Sequence, residues 1–433
     1  MNALLLLLLT VSPTPPPGSP TAPPPATSGF SAFAELGPEY FDHDVFALIE
    51  PGVAYDGEAL QVELAAPLRF YLVRASPHYA LGPPSWKTLR AEDWDERSEL
   101  GQILKSLKLT AWEGAFKLRA GALSHVRLGH GTIVNDYSND LHPDHRQAGT
   151  TATLAIGAVS ATAIVSNLLA TRLFAGSVTL EPLSILGPQN DRLHLLVSGA
   201  VDLAETRDAA PPNTLGLGVD VAALRTSTLK LAPYFDANLA GRNQAGGLHA
   251  GLLADLTLGS AELSFKLEWR RAFSGYLPEY FDATYEVERF VYSAAASDSD
   301  SKASAVLPTA NGYRGEISMR LGPVKGEAAL SARPGGGGDA SLLINVEQGP
   351  LQLAAFIADR GFLMEGHAPT VFALSEVRYR LTDQLYGWAA ASQRGREQAA
   401  FFFTPTDGPP IPVNQFIAPV RQLGAGIGGS LGR

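Results

Sequence analysis

The stretch Gly247–Arg271, GLHAGLLADLTLGSAELSFKLEWRR, restricts the fold of this chain more than any other. It reads as two long strands joined at Gly259-Ser260. Successive side chains of a strand point to opposite faces. In the second arm Leu263, Phe265, Leu267 and Trp269 therefore share one face, and Glu262, Lys266, Glu268 and Arg270 share the other. The first arm sorts in the same way, with Leu248, Ala250, Leu252, Ala254, Leu256 and Leu258 set against His249, Gly251, Asp255 and Thr257. Each arm runs about 11–13 residues, against about 5–6 for a typical soluble strand, and matches a tilted strand crossing a bilayer. One face requires an apolar surrounding and the other carries charges of both signs. A closed sheet around a wet lumen meets both demands; the competing reading is a hairpin of a soluble sandwich.

Composition narrows the choice. The 433 residues include no cysteine, which removes disulfides and thiolate metal sites. Charged residues make up 18%, below the usual quarter or so. The net charge of −10 gives no reason to expect a nucleic-acid partner. After the N-terminus no apolar run reaches the roughly 18 residues of a membrane helix. Met1–Val11, MNALLLLLLTV, is signal-peptide-like, although no Lys or Arg precedes the run and no A-x-A site follows closely. Residues 12–29 are rich in proline and predict an extended linker. Residues 30–59 contain aromatics and acids without clear periodicity, and predict a short periplasmic or plug segment. Residues 60–433 then carry the recurring alternation of a transmembrane β-barrel.

The alternation includes Val62–Leu72, Phe116–Ala120, Leu193–Val201, Leu215–Val221, Leu229–Ala237, Tyr313–Leu321, Val324–Leu330, Leu342–Val346 and Val377–Leu381. Thr150–Ile156 and Val159–Val165 alternate less decisively. Tight turns fall at Gly157-Ala158, Arg225-Thr226, Gly259-Ser260, Gly322-Pro323, Gly349-Pro350 and Thr382-Asp383-Gln384. Longer polar stretches lie between them: Arg127–Ala148, Ala204–Asn213, Arg271–Gly312, Asp359–Thr370 and Arg394–Pro419. Short and long connections alternate, as they do in barrels with short periplasmic turns and long outer loops. On this pattern the chain resembles the porin-type outer-membrane β-barrels of Gram-negative bacteria. The resemblance covers roughly Leu60–Arg433 and implies an all-β antiparallel barrel of about 16–18 strands, wide enough for an aqueous lumen. It implies a channel for passive diffusion of small polar solutes, with outer-membrane lipid and the barrel assembly machinery as partners. One departure is the last strand, which ends at Arg433 rather than at an aromatic residue. A short N-terminal hatch like that of long-chain fatty-acid transporters implies a hydrophobic-ligand barrel as the alternative, beside a non-conducting surface or adhesion barrel. The sequence carries no signal of oligomeric state.

Parity places Lys117, Arg119, Glu262, Lys266, Glu268, Arg270, Arg314, Glu316 and Arg320 inward, lining the pore. The loop after the strand at Lys117 predicts a constriction, with Arg119, Arg127 and His130 facing Asp136 and Asp140 across it; opposed charges of this kind sort polar solutes. Four of the nine histidines lie between His125 and His145, but neither His142 nor His145 matches a known metal-ligand spacing. No cofactor is expected. Nor is catalysis: Ser124 and His125 are adjacent and point apart, Ser198 and His194 are separated by about 13 Å along a strand, and no G-x-S-x-G elbow occurs. The aromatic run Gly275–Tyr292 reads as part of an interfacial girdle or as a stacking surface for sugars. PEYFD occurs twice, at Pro38–Asp42 and Pro278–Asp282, with no role assigned.

Overall fold

The computed structural model describes residues 28–41, 44–74, 89–90, 93–94, 97–140, 147–187, 191–203, 213–240, 245–273, 275–288, 309–332, 338–362, 370–394, 402–403, 411–412 and 420–431. The signal-like segment and most of the proline-rich linker fall outside these residues, as do His142, Asp144 and His145. One antiparallel sheet of 22 strand segments dominates the structure. Two segments continue a neighbour: Leu60–Ala65 runs in step into Leu68–Val73, and Asn213–Val221 runs across a one-residue slip into Leu224–Arg225. The described residues therefore make a barrel of 20 strands, closed because the first pairs with the last.

In chain order the strands are β1 (Gly29–Phe41), β2 (Asp44–Asp56), β3 (Leu60–Ala65 with Leu68–Val73), β4 (Leu104–Ala111), β5 (Phe116–Gly121), β6 (Gly149–Ile156) and β7 (Val159–Val165). There follow β8 (Leu173–Leu180), β9 (Leu193–Asp202), β10 (Asn213–Val221 with Leu224–Arg225), β11 (Leu229–Ala240), β12 (Ala245–Leu258) and β13 (Ala261–Ala272). The ring is completed by β14 (Ala310–Leu321), β15 (Val324–Ala332), β16 (Gly338–Gln348), β17 (Leu351–Phe362), β18 (Thr370–Arg380), β19 (Leu385–Arg394) and β20 (Val420–Leu431). Each strand pairs with its sequence neighbours, and β1 meets β20 from Ala32↔Leu431 to Phe41↔Gln422. Tight turns close hairpins at one end, as at Gly259, whose φ of +63° suits glycine. The longer connections lie at the other end.

The two faces of the sheet differ as the alternation predicts. Leu267 on β13 is 63% exposed, while its neighbours Lys266 and Glu268 are each only 4% exposed. Leu215, Leu217, Phe235, Leu239, Leu330 and Ile427 also stand on the outside, exposed. A closed barrel leaves no unpaired sheet edge, and an apolar outer surface requires lipid around it. The molecule is thus a transmembrane β-barrel, the spanning form of the Gram-negative outer membrane.

The barrel has more strands than the 16–18 expected, and residues 30–59 are not a plug. They form β1 and β2, paired residue by residue from Gly29↔Asp56 to Phe41↔Asp44. Pro38, Pro51 and Gly52 hid them, since proline and Pro-Gly pairs read as strand breakers and turns. The pairing tolerates both prolines, and the Phe30 and Tyr55 rings pack at 4.8 Å across it. Leu173–Leu180, too rich in small residues to show a clear period, adds a further strand.

The face assignment is testable on one strand. Leu267→Arg places a charge near the middle of the lipid face and is expected to cost about 2–4 kcal/mol. Glu262→Ala, at an exposed site near the β12–β13 turn, is expected to be close to neutral. Folding titrations into lipid vesicles, read from heat-modifiable gel mobility, measure both; equal costs would contradict the assigned faces.

Candidate functional site in the lumen

Twenty strands enclose more space than their own side chains fill, and loops occupy part of it. The loop between β5 and β6 turns inward. Its arms pair with each other at Val126 and Tyr137, each N–H donating to the other's carbonyl at 2.9 Å. Leu128, Ile133, Val134 and Tyr137 are buried, and with Phe281 and Tyr285 of the β13–β14 loop they pack on Ile164, Leu173, Ala175 and Ala200 of the wall. The two loops join as a short parallel bridge at Val134 and Phe281. The Asn135 N–H donates to the Phe281 carbonyl at 3.0 Å, and the Glu279 N–H to the Thr132 carbonyl at 3.1 Å. Burial of these apolar side chains is what draws a chain of otherwise polar composition into the barrel.

Beneath the loops lies a ladder of charges. Cross-strand neighbours on β13 and β14 are opposite in sign: Lys266 faces Glu316, Glu268 faces Arg314, and Glu262 faces Arg320. Glu268 accepts from Arg270 at 2.8 Å, Lys266 at 3.2 Å and the Tyr234 hydroxyl at 2.5 Å, and it contacts His249 at 3.1 Å. Glu316 is paired with Arg127 at 2.7 Å and with Arg314. Glu279 reaches down from the β13–β14 loop to Arg314 at 2.9 Å and Arg270 at 3.3 Å. A charge buried without a partner costs several kcal/mol or more, and Glu268, Glu279 and Glu316 are each held by two or more cationic groups. The Lys266 ammonium also donates to the His130 carbonyl at 2.7 Å, which ties the β5–β6 loop to the ladder.

The structure divides the residues that the sequence pattern placed in the pore. Lys266, Glu268, Arg270, Arg314 and Glu316 face inward, but they are paired under the inserted loops, four of them buried and Arg314 partly so, rather than lining open water. Glu262 and Arg320 pair at 3.1 Å with more than half of each side chain exposed, near the tight-turn end. Lys117 and Arg119 are exposed, in register with Thr153 and Thr151. Arg127, His130, Asp136 and Asp140 do belong to an inserted loop, but they do not oppose one another across a gap. Arg127 reaches Glu316 and Glu327 of the wall. His130 sits between Asp236 at 2.8 Å and Asp220 at 3.1 Å, and stacks on Tyr234 with ring centres 4.5 Å apart. Asp136 pairs with His125 of its own loop, and Asp140 accepts from the Ser124 hydroxyl at 2.8 Å.

Several partners escaped sequence reading. Tyr276, Tyr280, Phe281 and Tyr285 are buried in the lumen, so these aromatics form no interfacial girdle. Both PEYFD copies hold arginine through their glutamate. Glu279 takes Arg270 and Arg314, and Glu39 takes Arg69 at 2.6 Å, with Asp93 3.2 Å from the same guanidinium. The phenylalanine of each copy is buried, Phe41 against Phe46 and Tyr71, and Phe281 in the loop core. The signal was present in the sequence: Ile133, Val134 and Tyr137 are out of place in a solvated loop.

Away from the inserted loops the lumen keeps a cavity of about 370 Å³ against β1–β4 and β18–β20. Five glutamates line it, Glu35, Glu39, Glu50, Glu63 and Glu376, with three cationic residues, Arg69, Lys105 and Arg378.

No protein-family model and no curated protein matches this sequence. Solved structures similar in fold include three outer-membrane proteins of Pseudomonas aeruginosa. OccK8 (OprE) is 10% identical, with 94% of this chain and 98% of that chain covered and a TM-score of 0.38. OccK5 (OpdH) is 11% identical, with the same coverage and a TM-score of 0.37. OpdK, solved with vanillate, is 8% identical over 94% and 99%, with a TM-score of 0.36. The likeness is to the barrel alone.

His130 provides a pH-dependent anchor for the β5–β6 loop. Burial disfavours its charged form, but the hydrogen bonds and charges of Asp220 and Asp236 prevail and push the imidazole up to about 9. Tyr234, stacked on the ring, His194, 2.7 Å from Asp220, and Lys266 are further titratable or charged groups nearby. A raised folded-state value means that the contribution is full below about 6.5, the free imidazole value, and is lost as pH rises through about 9. Protease cleavage within the β5–β6 loop is expected to accelerate between pH 7 and about 10. His130→Gln should be cleaved faster at neutral pH and show a flatter profile.

Proposed function

We propose that this protein is an outer-membrane channel through which small polar solutes diffuse passively, narrowed by loops folded into its own lumen. The observation that carries the reading is a barrel closed around charged side chains of both signs, with a cavity of about 370 Å³ left beside the inserted loops. A hydrophobic-ligand barrel would line its interior with apolar side chains; here the inward positions of β13 and β14 carry Lys266, Glu268, Arg270, Arg314 and Glu316. The β5–β6 loop sets the bore on one side, because its apolar arm packs on the wall and its Arg127 and His130 are tied to partners on β10, β11, β14 and β15. At the tight-turn mouth, Lys117 and Arg119 add positive charge where ions enter or leave, and fixed charge of one sign raises the local concentration of the other.

Single-channel recording of refolded protein in a planar bilayer tests this reading. Ohmic steps are expected, and their absence would favour a non-conducting barrel. Replacing Val126–Tyr137 with a short Gly-Ser linker should raise conductance severalfold. Neutralising Lys117 and Arg119 together should shift reversal potentials toward cations at low salt. The shift should shrink at 1 M, where the Debye length falls to about 3 Å. Unmoved potentials would take those two side chains off the path.

A further inference from the structure

The cavity beside the β1–β20 seam has a composition unlike the ladder on the opposite wall, where charges are matched. Here Glu39 is held by Arg69 at 2.6 Å, and Glu50 by Lys105 at 2.6 Å. The remaining three carboxylates share one guanidinium: Arg378 pairs with Glu35 at 3.0 Å and with Glu376, while Glu63 has no ion-pair partner among the described residues. The described lining is therefore two carboxylates in excess, in a confined space with low-dielectric walls, where an unbalanced field draws counter-ions.

Between Glu376 on β18 and Glu35 and Glu39 on β1, the wall of β19 and β20 is flat and aromatic. On β20 the inward positions are pared to main chain. A Cβ added at Gly424 or Gly426 would come within 2.9 Å of the Trp388 indole, and one at Gly428 within 2.2 Å of the Tyr386 ring. The rings of β19 thus lie down over the glycines of β20, and Trp388 lines the cavity with them. The face of an indole attracts cations, more strongly where water is excluded.

We propose that this cavity is a binding subsite for small organic cations with a flat apolar group, Trp388 serving as the platform and Glu63 and Glu376 as the counter-charge. The inference deepens the channel reading and relies on it only for the solute's passage, since binding can be measured without conduction. Selectivity then resides at the seam rather than at the β5–β6 loop, whose described charges are already partnered, Arg127 and His130 by the wall and Asp136 and Asp140 within the loop. A solute with one positive charge and one ring fits the excess charge and the platform together, whereas an anion of the same shape meets unbalanced carboxylates.

The test uses full-length protein folded in detergent and three probes built on one ring: benzyltrimethylammonium, benzyl alcohol and benzoate. Calorimetric titration is expected to give tighter binding for the cation than for benzoate by about tenfold or more, equivalent to about 1.4 kcal/mol. Glu63→Gln with Glu376→Gln should abolish most of that difference. Trp388→Ala should weaken binding of the cation severalfold, whereas Trp388→Phe, which keeps an aromatic face over the β20 glycines, should retain most of it. Equal binding of the three probes, or a preference that survives the double substitution, would overturn the proposal. If the double variant gives no heat-modifiable band, Glu63→Gln alone serves, because that side chain holds no ion pair whose loss would disturb folding. Cation binding without ohmic conductance would retain the subsite and reject the channel; conductance without cation preference would do the reverse.

Discussion

Hydrocarbon offers no hydrogen bond to a peptide group, and this constraint governs the rest of the molecule. Every N–H and C=O at membrane depth needs a partner from the chain itself. For a sheet the solution is closure, and the pairing of Gly29–Phe41 with Val420–Leu431 supplies it. Once the ring is shut, side-chain alternation does the sorting: outward positions are selected for lipid, inward ones for water or for each other. Charges of both signs can then occupy β13 and β14 without facing the bilayer.

Closure around twenty strands creates a second problem, that of space. The chain fills part of the lumen with its own loops, using two kinds of contact. An apolar cluster around Val134, Phe281 and Tyr285 supplies burial, and the Glu268–Glu279–Glu316 ladder holds the loops in one position. Buried ion pairs add little net stability over apolar packing of the same shape, but breaking one strands its partner. The ladder therefore specifies the loop position more than it stabilises the fold.

The barrel was legible in the sequence because its cause is periodic. Leu263–Trp269 against Glu262–Arg270 states both faces at once, and the alternation of short and long connections gives the handedness of the ends. The first hairpin was illegible because Pro38 and Pro51-Gly52 imitate turns, and only pairing with β20 and β3 gives those residues a place in the ring. Inward placement of Lys266, Glu268, Arg270, Arg314 and Glu316 followed from parity; their burial did not, since it depends on loops distant in sequence. The complementary signs of Lys266/Glu316 and Glu268/Arg314 were readable as an antiparallel match. The clamp of His130 by Asp220 and Asp236 was not, because nothing local links residues about a hundred positions apart.

The glycine-rich last strand has a consequence for how the ring finds its alignment. A strand with few side chains offers little to resist sliding along its neighbour by two residues, a shift that would keep every face correct. Here the bulky rings of β19 act as teeth in a rack: Trp388 fits over Gly424 and Gly426, and Tyr386 over Gly428, while Gln422 and Ser430 flank these gaps with side chains of their own. On the other side, the main chain at Gly37 approaches Gly426 too closely to admit a Cβ on either residue. Alignment at the join is thus keyed by absent atoms, so a single methyl group at Gly426 would obstruct both neighbouring strands at once.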